Sequence, residues 1–181
     1  SNGTLLHCLV NLQKGAHVFG SNNHGKTWYI AESPLSPGDE SKIVELNDGS
    51  WLVNSRVNNK GIRYSHISKD QGKSWITKPE SKLIDPGCNA SLVKYDYGNY
   101  INSDLLLLSN INNQSKRKEI VVRHSLNGGV TWSEPKTIYA GSAAYSSMTV
   151  LNNGEIGLLF EMDSYSKNVF TKFSLHWLMN N

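Results

Sequence analysis

The sequence lacks most of the features that mark metal-binding, disulfide-rich and membrane proteins. It has only two cysteines among 181 residues, Cys8 and Cys88, and their separation matches no metal-ligand spacing. A single disulfide and two free core thiols both remain open, with free thiols the simpler interpretation. The longest apolar runs, such as residues 105–108, are far too short to span a membrane, and no signal peptide is visible at the N-terminus.

An excess of charge of one sign is also missing. Eighteen Lys and Arg residues against fifteen Asp and Glu residues give a formal net charge of +3, and the basic residues are scattered along the chain. This balance is too mild to indicate a nucleic-acid partner, although individual arginines can still bind a small acidic ligand. The six histidines show no ligand spacing, so neither a metal nor another cofactor is expected.

Repetition is the main positive feature, since no segment has a convincing helical period over ten or more residues. An eight-residue box occurs at residues 21–28, 68–75 and 125–132, and reads SNNHGKTW, SKDQGKSW and SLNGGVTW. Its Ser and its Asp or Asn can bond the backbone of a tight turn, its Gly can adopt a positive φ, and its Trp can pack between sheets. The boxes therefore indicate a structural rather than a catalytic repeat.

A second repeat consists of turn signals between two apolar runs. They include Gly3, Gly49, Gly98 and Gly154, at intervals of 46, 49 and 56 residues. Asn-Gly and Asp-Gly steps favour the backbone of a tight hairpin. Each glycine therefore predicts a strand, a turn and a second strand.

Four short strands in a unit of about fifty residues are typical of a β-propeller blade. We therefore expect an all-β fold in which residues 1–181 form one partial propeller domain without an internal linker. The repeats supply roughly three and a half blades, whereas a closed propeller needs about four to eight. Because the turn at Gly3 has no strand before it, a longer parent chain or a partner chain is expected to supply the remainder.

Two stretches carry a more specific signal than the boxes. They are residues 43–56, IVELNDGSWLVNSR, and residues 144–161, AYSSMTVLNNGEIGLLFE. Together with the boxes, they make the chain resemble the bacterial-type exo-sialidase, or neuraminidase, family along its whole length. The catalytic domain of that family is a six-bladed propeller that removes terminal sialic acids from glycans, and the chain is similar to its C-terminal half.

The resemblance implies roles for four residues. Tyr145 would be the catalytic nucleophile and Glu40 the carboxylate that takes its proton, while Arg56 and Arg117 would be the second and third arginines that hold the sialic acid carboxylate. It also implies sialylated glycans as partners, a retaining mechanism and a secreted or cell-surface location. The family's first arginine and its acid/base aspartate have no counterpart here, so the chain in isolation is expected to be inactive.

The spacing of the repeats supports part of this assignment without the family. Glu40 and Tyr145 each precede a turn glycine by nine residues, Gly49 and Gly154 respectively. Equal offsets in a radial repeat place both side chains at the same end of an innermost strand, facing one mouth of the central channel. Asn89 has the same offset from its own turn glycine and is therefore predicted to contact the substrate.

Each of these residues also has an ordinary structural explanation. Tyr145 can plug the end of a strand, Glu40 can be a solvated carboxylate in a polar loop, and Arg56 can be a structural arginine. Arg117 lies in a basic run, and nearby Arg123 is expected on the surface of a strand. For the whole protein, a lectin-like propeller that binds sialic acid without turnover and a trans-sialidase both remain alternatives to the hydrolase.

Overall fold

Antiparallel β-strands dominate the structure, a computed structural model that describes residues 3–11 and 13–180. These residues form thirteen strands and one short α-helix, so the all-β prediction is confirmed. Asn2, which belongs to the first predicted turn, lies outside the described residues.

The strands form a three-stranded, a four-stranded and a six-stranded sheet, each in sequence order. The first contains β1 (Leu5–Asn11), β2 (Gly15–Ser21) and β3 (Tyr29–Ile30). The second contains β4 (Ser41–Glu45), β5 (Trp51–Ser55), β6 (Ile62–Ser68) and β7 (Ile76–Ile84). The third contains β8 (Ser91–Lys94), β9 (Leu106–Ile111), β10 (Lys118–Ser125), β11 (Lys136–Val150), β12 (Ile156–Met162) and β13 (Lys167–Phe173). Helix α1 (Leu175–Met179) follows β13.

The six-stranded sheet consists of two blades joined by one long strand. The first part of β11, residues 136–142, pairs with β10, and the second part, residues 143–150, pairs with β12. β11 is thus the outermost strand of one blade and the innermost strand of the next. The described strands therefore form blade 1 (β1–β3), blade 2 (β4–β7), blade 3 (β8 to the first part of β11) and blade 4 (the second part of β11 to β13).

The three boxes form the same turn in blades 1, 2 and 3. In each, the preceding strand ends at the box serine, whose Oγ accepts a hydrogen bond from the backbone N–H of the box glycine. The Asn or Asp of the box accepts another from the backbone N–H four residues further on. This is the local bonding that the sequence predicts.

The box tryptophans are less uniform than the sequence predicts. Trp75 packs against the core between blades 1 and 2, and Trp132 packs against the core between blades 2 and 3. Trp28 is 52% exposed and lies against Phe19 of its own blade. The prediction that Trp28 packs between sheets is therefore wrong, because the described residues include no sheet before blade 1 to cover it.

Two turn glycines form tight hairpins as predicted, and one does not. Gly49 joins β4 to β5 and Gly154 joins β11 to β12, each with a φ near +80° and a backbone bond that closes the turn. Gly98 instead begins a short 3-10 helix in the long connection 95–105 between β8 and β9, so the tight turn predicted there is wrong. The longer connection lets Tyr95 pack into the core and donate its hydroxyl to the Gly154 carbonyl.

Three apolar clusters hold neighbouring blades together, and the largest lies between blades 3 and 4, where α1 also packs. β5 and β9 are buried along their whole length because sheets cover both of their faces. Cys8 is half-buried and Cys88 is buried, and both are free thiols. The simpler interpretation of the two cysteines is thus the one that the structure has.

Candidate functional site

Three of the predicted site residues lie where the chain enters an innermost strand. Glu40 directly precedes β4, Asn89 lies two residues before β8, and Tyr145 is the third residue of the blade 4 part of β11. Each follows a segment that crosses from one blade to the next. Equivalent positions in three successive blades bring these residues to one end of the sheets.

Arg56, which directly follows β5, connects Glu40 to Tyr145. Its Nη1 lies 2.5 Å from Oε2 of Glu40 and donates a hydrogen bond to the Tyr145 hydroxyl at 3.0 Å. The neighbouring Glu40 side chain also acts on the Tyr145 hydroxyl, whose pKa it raises. A phenol, a carboxylate and a guanidinium from blades 2 and 4 therefore meet at one point.

The surroundings of Tyr145 favour its neutral form. Burial raises the pKa of Tyr145 above its usual value, and the hydrogen bond to Glu40 and the charge of that carboxylate raise it further, whereas Arg56 opposes the shift. For Arg56, burial acts to lower the pKa, but the charges of Glu40 and Asp39 outweigh it. The site thus holds a neutral phenol against a carboxylate, an arrangement suited to removing the phenolic proton when the oxygen reacts.

Asp39 belongs to this site and was missed by the sequence reasoning. Its Oδ2 accepts hydrogen bonds from Arg56 Nη2 at 3.2 Å and from Asn58 Nδ2 at 2.5 Å, and its Oδ1 accepts from the N–H of Glu40 at 2.7 Å. Burial opposes the shift, but these donors and the Arg56 charge lower the pKa of Asp39. Asp39 therefore holds Arg56 through the nitrogen that does not contact Tyr145.

Arg117 reaches Tyr145 from the segment before β10. Its guanidinium carbon lies 5.2 Å from the centroid of the Tyr145 ring, and its Nη1 donates to the hydroxyl of Tyr165 at 2.8 Å. Tyr165 lies in the turn between β12 and β13 and was not predicted as a site residue. Arg56 therefore contacts the hydroxyl of Tyr145, while Arg117 contacts its ring.

Asn89 lies beside Tyr145 rather than in the ion-pair cluster. Its Oδ1 is buried and has no hydrogen-bond partner among the described residues. The cavity that Asn89 shares with Tyr145 is also lined by Lys42, Ser146, Ser147, Leu159, Phe160, Glu161 and Asn168.

Two further side chains fix the strand around Tyr145. Glu161 on β12 accepts a hydrogen bond from the Tyr145 N–H at 3.0 Å, and the hydroxyls of Ser146 and Ser109 lie 2.8 Å apart. Neither interaction was predicted. Glu161 ends the sequence stretch 144–161, and this is the only signal that could have drawn attention to it.

Within residues 3–11 and 13–180, no group of three or more His, Cys, Asp or Glu side chains is arranged to hold a metal ion. Over the same part of the chain, the structure has no helix with the length and apolar character needed to cross a membrane.

Comparison with known sequences relates the chain to one group of proteins. A family model described as "BNR repeat-like domain" matches residues 1–158. The chain is 35% identical over 163 residues to a sialidase of Micromonospora viridifaciens, a match that covers 87% of this chain and 25% of the relative. It is 31% identical over 152 residues to a sialidase of Bacteroides fragilis, covering 81% of this chain and 28% of the relative. The chain thus spans less than a third of the length of these two curated relatives.

Solved structures of sialidases match the fold over nearly the whole chain. A Hadza microbial sialidase has a TM-score of 0.85 at 29% identity, covering 98% of this chain and 36% of that one. An intramolecular trans-sialidase from Ruminococcus gnavus has a TM-score of 0.81 at 24% identity, covering 99% of this chain and 42% of that one. The second match supports the fold alone. The prediction of a partial β-propeller of the sialidase type is confirmed.

Proposed function

Because the chain belongs to the bacterial-type exo-sialidase family of BNR-repeat proteins, we propose that it is part of the catalytic domain of a retaining exo-α-sialidase. Such an enzyme is a glycoside hydrolase that releases terminal sialic acids from glycans. One observation carries the proposal above all others. A single nitrogen of Arg56 lies within 3.0 Å of both the Glu40 carboxylate and the Tyr145 hydroxyl.

Tyrosine suits the role of nucleophile because a sialic acid carries a carboxylate on the carbon that is attacked. A second carboxylate would be repelled there, whereas a phenol that is neutral at rest can approach. As the Tyr145 oxygen bonds to this carbon, its proton passes to Glu40 and the bond to the departing sugar breaks. The raised pKa of Tyr145 keeps the phenol neutral until that step.

A second displacement completes the reaction. Water attacks the same carbon, the bond to the Tyr145 oxygen breaks, and Glu40 returns the proton to the phenol. Two displacements from opposite faces give overall retention. The departing sugar oxygen takes a proton from an acid outside this chain, and the same group removes a proton from the attacking water, since the family's acid/base aspartate has no counterpart among residues 1–181.

Arg56 and Arg117 are the residues that hold the substrate carboxylate. A guanidinium can bind a carboxylate through two parallel hydrogen bonds and stays charged at any working pH. The two arginines contact the hydroxyl and the ring of Tyr145, which supports a substrate position beside the nucleophile. Asn89, which lines the cavity beside Tyr145, supplies an additional polar contact.

The remainder of the propeller, with the first arginine, comes from another part of the protein or from a partner chain. The chain spans only 25% and 28% of the two curated relatives. Phe170 on β13 is 59% exposed, as expected for a sheet face that another blade covers. Residues 1–181 are therefore interpreted as the C-terminal half of the propeller domain, without an internal linker.

The variant Tyr145→Phe, made in the complete protein that carries this chain, tests the proposed function. It removes the nucleophilic oxygen and keeps the ring that contacts Arg117. We expect turnover of an aryl sialoside to be nearly abolished, while the affinity for a 2,3-unsaturated sialic acid analogue changes little.

Tyr139→Phe is the matched control, because the Tyr139 hydroxyl contacts Asp163 instead of Glu40. It should retain turnover. A Tyr145→Phe protein that still cleaves the aryl sialoside would exclude Tyr145 as the nucleophile. A wild-type protein that binds the analogue but releases no sialic acid would favour the lectin-like alternative.

A further inference from the structure

Arg63 is a buried charged residue at a position where two other blades have an apolar residue. It lies five residues before the box serine of blade 2, and the residues with the same offset are Ala16 in blade 1 and Ile120 in blade 3. All three residues are 0% exposed. Burying a guanidinium costs far more free energy than burying an aliphatic side chain. Packing alone therefore does not account for an arginine at this position.

The guanidinium of Arg63 binds the crossover 85–90, the segment between β7 of blade 2 and β8 of blade 3. Its Nη1 donates to Oδ2 of Asp85 and to the carbonyl of Cys88, both at 2.9 Å. The other oxygen of Asp85 accepts the N–H of Gly87 at 2.8 Å and that of Cys88 at 2.7 Å. Arg63 and Asp85 together thus fix both the N–H and the carbonyl of Cys88.

This pair differs from the other ion pairs of the described residues, since the Arg63 and Asp85 side chains are 0% and 1% exposed and every other pair is more exposed. The crossover that it binds also differs from the crossover into blade 4, which is a continuous strand, β11. Crossover 85–90 contains no strand residue, so its shape depends on the side chains that bind it.

We propose that Arg63 and Asp85 are positioning residues that hold crossover 85–90 so that Asn89 presents its side chain to the ligand beside Tyr145. Asn89 directly follows Cys88, the residue whose backbone the pair fixes on both sides. The inference rests on the proposed function for the contact between Asn89 and the sialic acid. It extends that function to two residues that do not touch the substrate.

The physical basis is restraint rather than stability. A buried ion pair often adds little net stability, because desolvation offsets the attraction between the charges. Its directed hydrogen bonds nevertheless fix a loop that has no strand pairing. A displacement of about 1 Å in a substrate-binding group can cost roughly 100-fold in rate. Bonds that keep Asn89 in position can therefore matter for activity even where they add little stability.

The test uses Asp85→Asn in the complete protein, because the Arg63 guanidinium then keeps two other acceptors, the Asn54 side chain and the Cys88 carbonyl. Arg63→Met would instead leave the buried Asp85 carboxylate without its cationic partner. Asparagine keeps the shape of the side chain but removes the charge opposite Arg63. We expect the hydrogen-exchange rates of the Gly87 and Cys88 amides to rise, while the rate of the Gly129 amide, which is bonded within the blade 3 box, stays unchanged.

The affinity for ligand should change as well. We expect the Kd for the 2,3-unsaturated sialic acid analogue to rise roughly 2- to 12-fold, as for the loss of one hydrogen bond. Asp104→Asn, in a half-exposed pair with Lys94, is the control and should change neither quantity.

A double-mutant cycle shows whether the pair acts through Asn89. In an Asn89→Ala background, Asp85→Asn should no longer weaken analogue binding, because the side chain that it positions is absent. An equal loss of affinity in both backgrounds would overturn the inference, as would a uniform rise in exchange across all blades. An Asn89→Ala protein with unchanged affinity would also overturn it. Hydrogen exchange can be measured without turnover. A protein without sialidase activity would therefore refute the proposed function, while its amide exchange would still show whether Arg63 and Asp85 hold the crossover.

Discussion

The guanidinium of Arg56 and the hydroxyl of Tyr145 lie 3.0 Å apart, although 89 residues separate them in the sequence. Arg56 follows the second strand of blade 2, Tyr145 lies on the innermost strand of blade 4, and blade 3 stands between them in chain order. Their contact exists because the inner ends of successive blades converge. The propeller geometry therefore assembles a site that no single blade contains.

Arg56→Lys is expected to weaken binding of the sialic acid carboxylate. Lysine keeps the positive charge but lacks the planar fork that contacts Tyr145 through one nitrogen and Asp39 through the other. The loss should be about 1 to 3 kcal/mol, or roughly 5- to 150-fold in the Kd of the 2,3-unsaturated analogue. Titration calorimetry on the complete protein measures it directly.

Arg123→Lys serves as the matched control for this substitution. Arg123 is buried and donates to the Ser133 carbonyl and to Asn112, away from Tyr145. Its replacement should lower the melting temperature but leave the Kd unchanged. An Arg56→Lys protein with wild-type affinity would remove Arg56 from the proposed carboxylate site.

Glu40→Gln is expected to lower the pKa of the Tyr145 hydroxyl. Burial raises this pKa first and remains in the variant, but the hydrogen bond to Glu40 and its negative charge also raise it. The neutral amide of glutamine does not repel the phenolate, so the Tyr145 hydroxyl should ionise at lower pH. Carbon-13 labelling of the tyrosine Cζ atoms, followed by NMR through an alkaline titration, gives the value, and Tyr145→Phe identifies the signal.

Glu155→Gln provides the comparison, since Glu155 pairs with Lys172 near the opposite end of β12. It should leave the Tyr145 signal unchanged. The proposed pairing of base and nucleophile would be contradicted if Glu40→Gln left the pKa of Tyr145 where it was or raised it.

The sequence predicted the positions of the site residues better than their contacts. The nine-residue offset predicted equivalent positions for Glu40, Asn89 and Tyr145, and each of them lies five residues before the last residue of an innermost strand. The same reasoning missed Asp39, whose bond to Arg56 depends on which way a loop carboxylate points. Spacing alone does not contain that direction.

Buried charges were the least predictable part of the fold. Arg123 was expected on the surface of a strand, but only 5% of the residue is exposed, and that expectation is wrong. Arg63, for which no role was predicted, is fully buried against Asp85. In both cases the partner comes from a different segment of the chain: a crossover for Arg63, and two loops for Arg123. The pattern of apolar and polar residues along one strand therefore could not reveal it.

Asp70→Ala should destabilise blade 2, whereas Asp70→Asn should be tolerated at neutral pH. Asp70 accepts hydrogen bonds from the Ser68 hydroxyl, the Ser74 N–H and the Ser74 hydroxyl, and alanine removes both acceptor oxygens and with them all three bonds. Asparagine occupies the same place in the other two boxes, where its Oδ1 accepts from the backbone and its Nδ2 donates to the box threonine. Melting temperatures measured by calorimetry near neutral pH should therefore fall clearly for the alanine variant and little for the asparagine variant.

The wild type and Asp70→Asn should differ in how their melting temperatures respond to acid. Hydrogen bonds from the Ser74 hydroxyl, the Ser74 N–H and the Ser68 hydroxyl lower the pKa of Asp70 from 3.8 to about 2. Because the folded-state pKa is depressed, the carboxylate stabilises the fold above about pH 4, and this contribution is lost as the pH falls toward 2. The melting temperature of the wild type should therefore drop more than that of Asp70→Asn between pH 5 and about pH 2. A difference between the two proteins that stays constant over this range would show that the Asp70 charge contributes nothing to the turn.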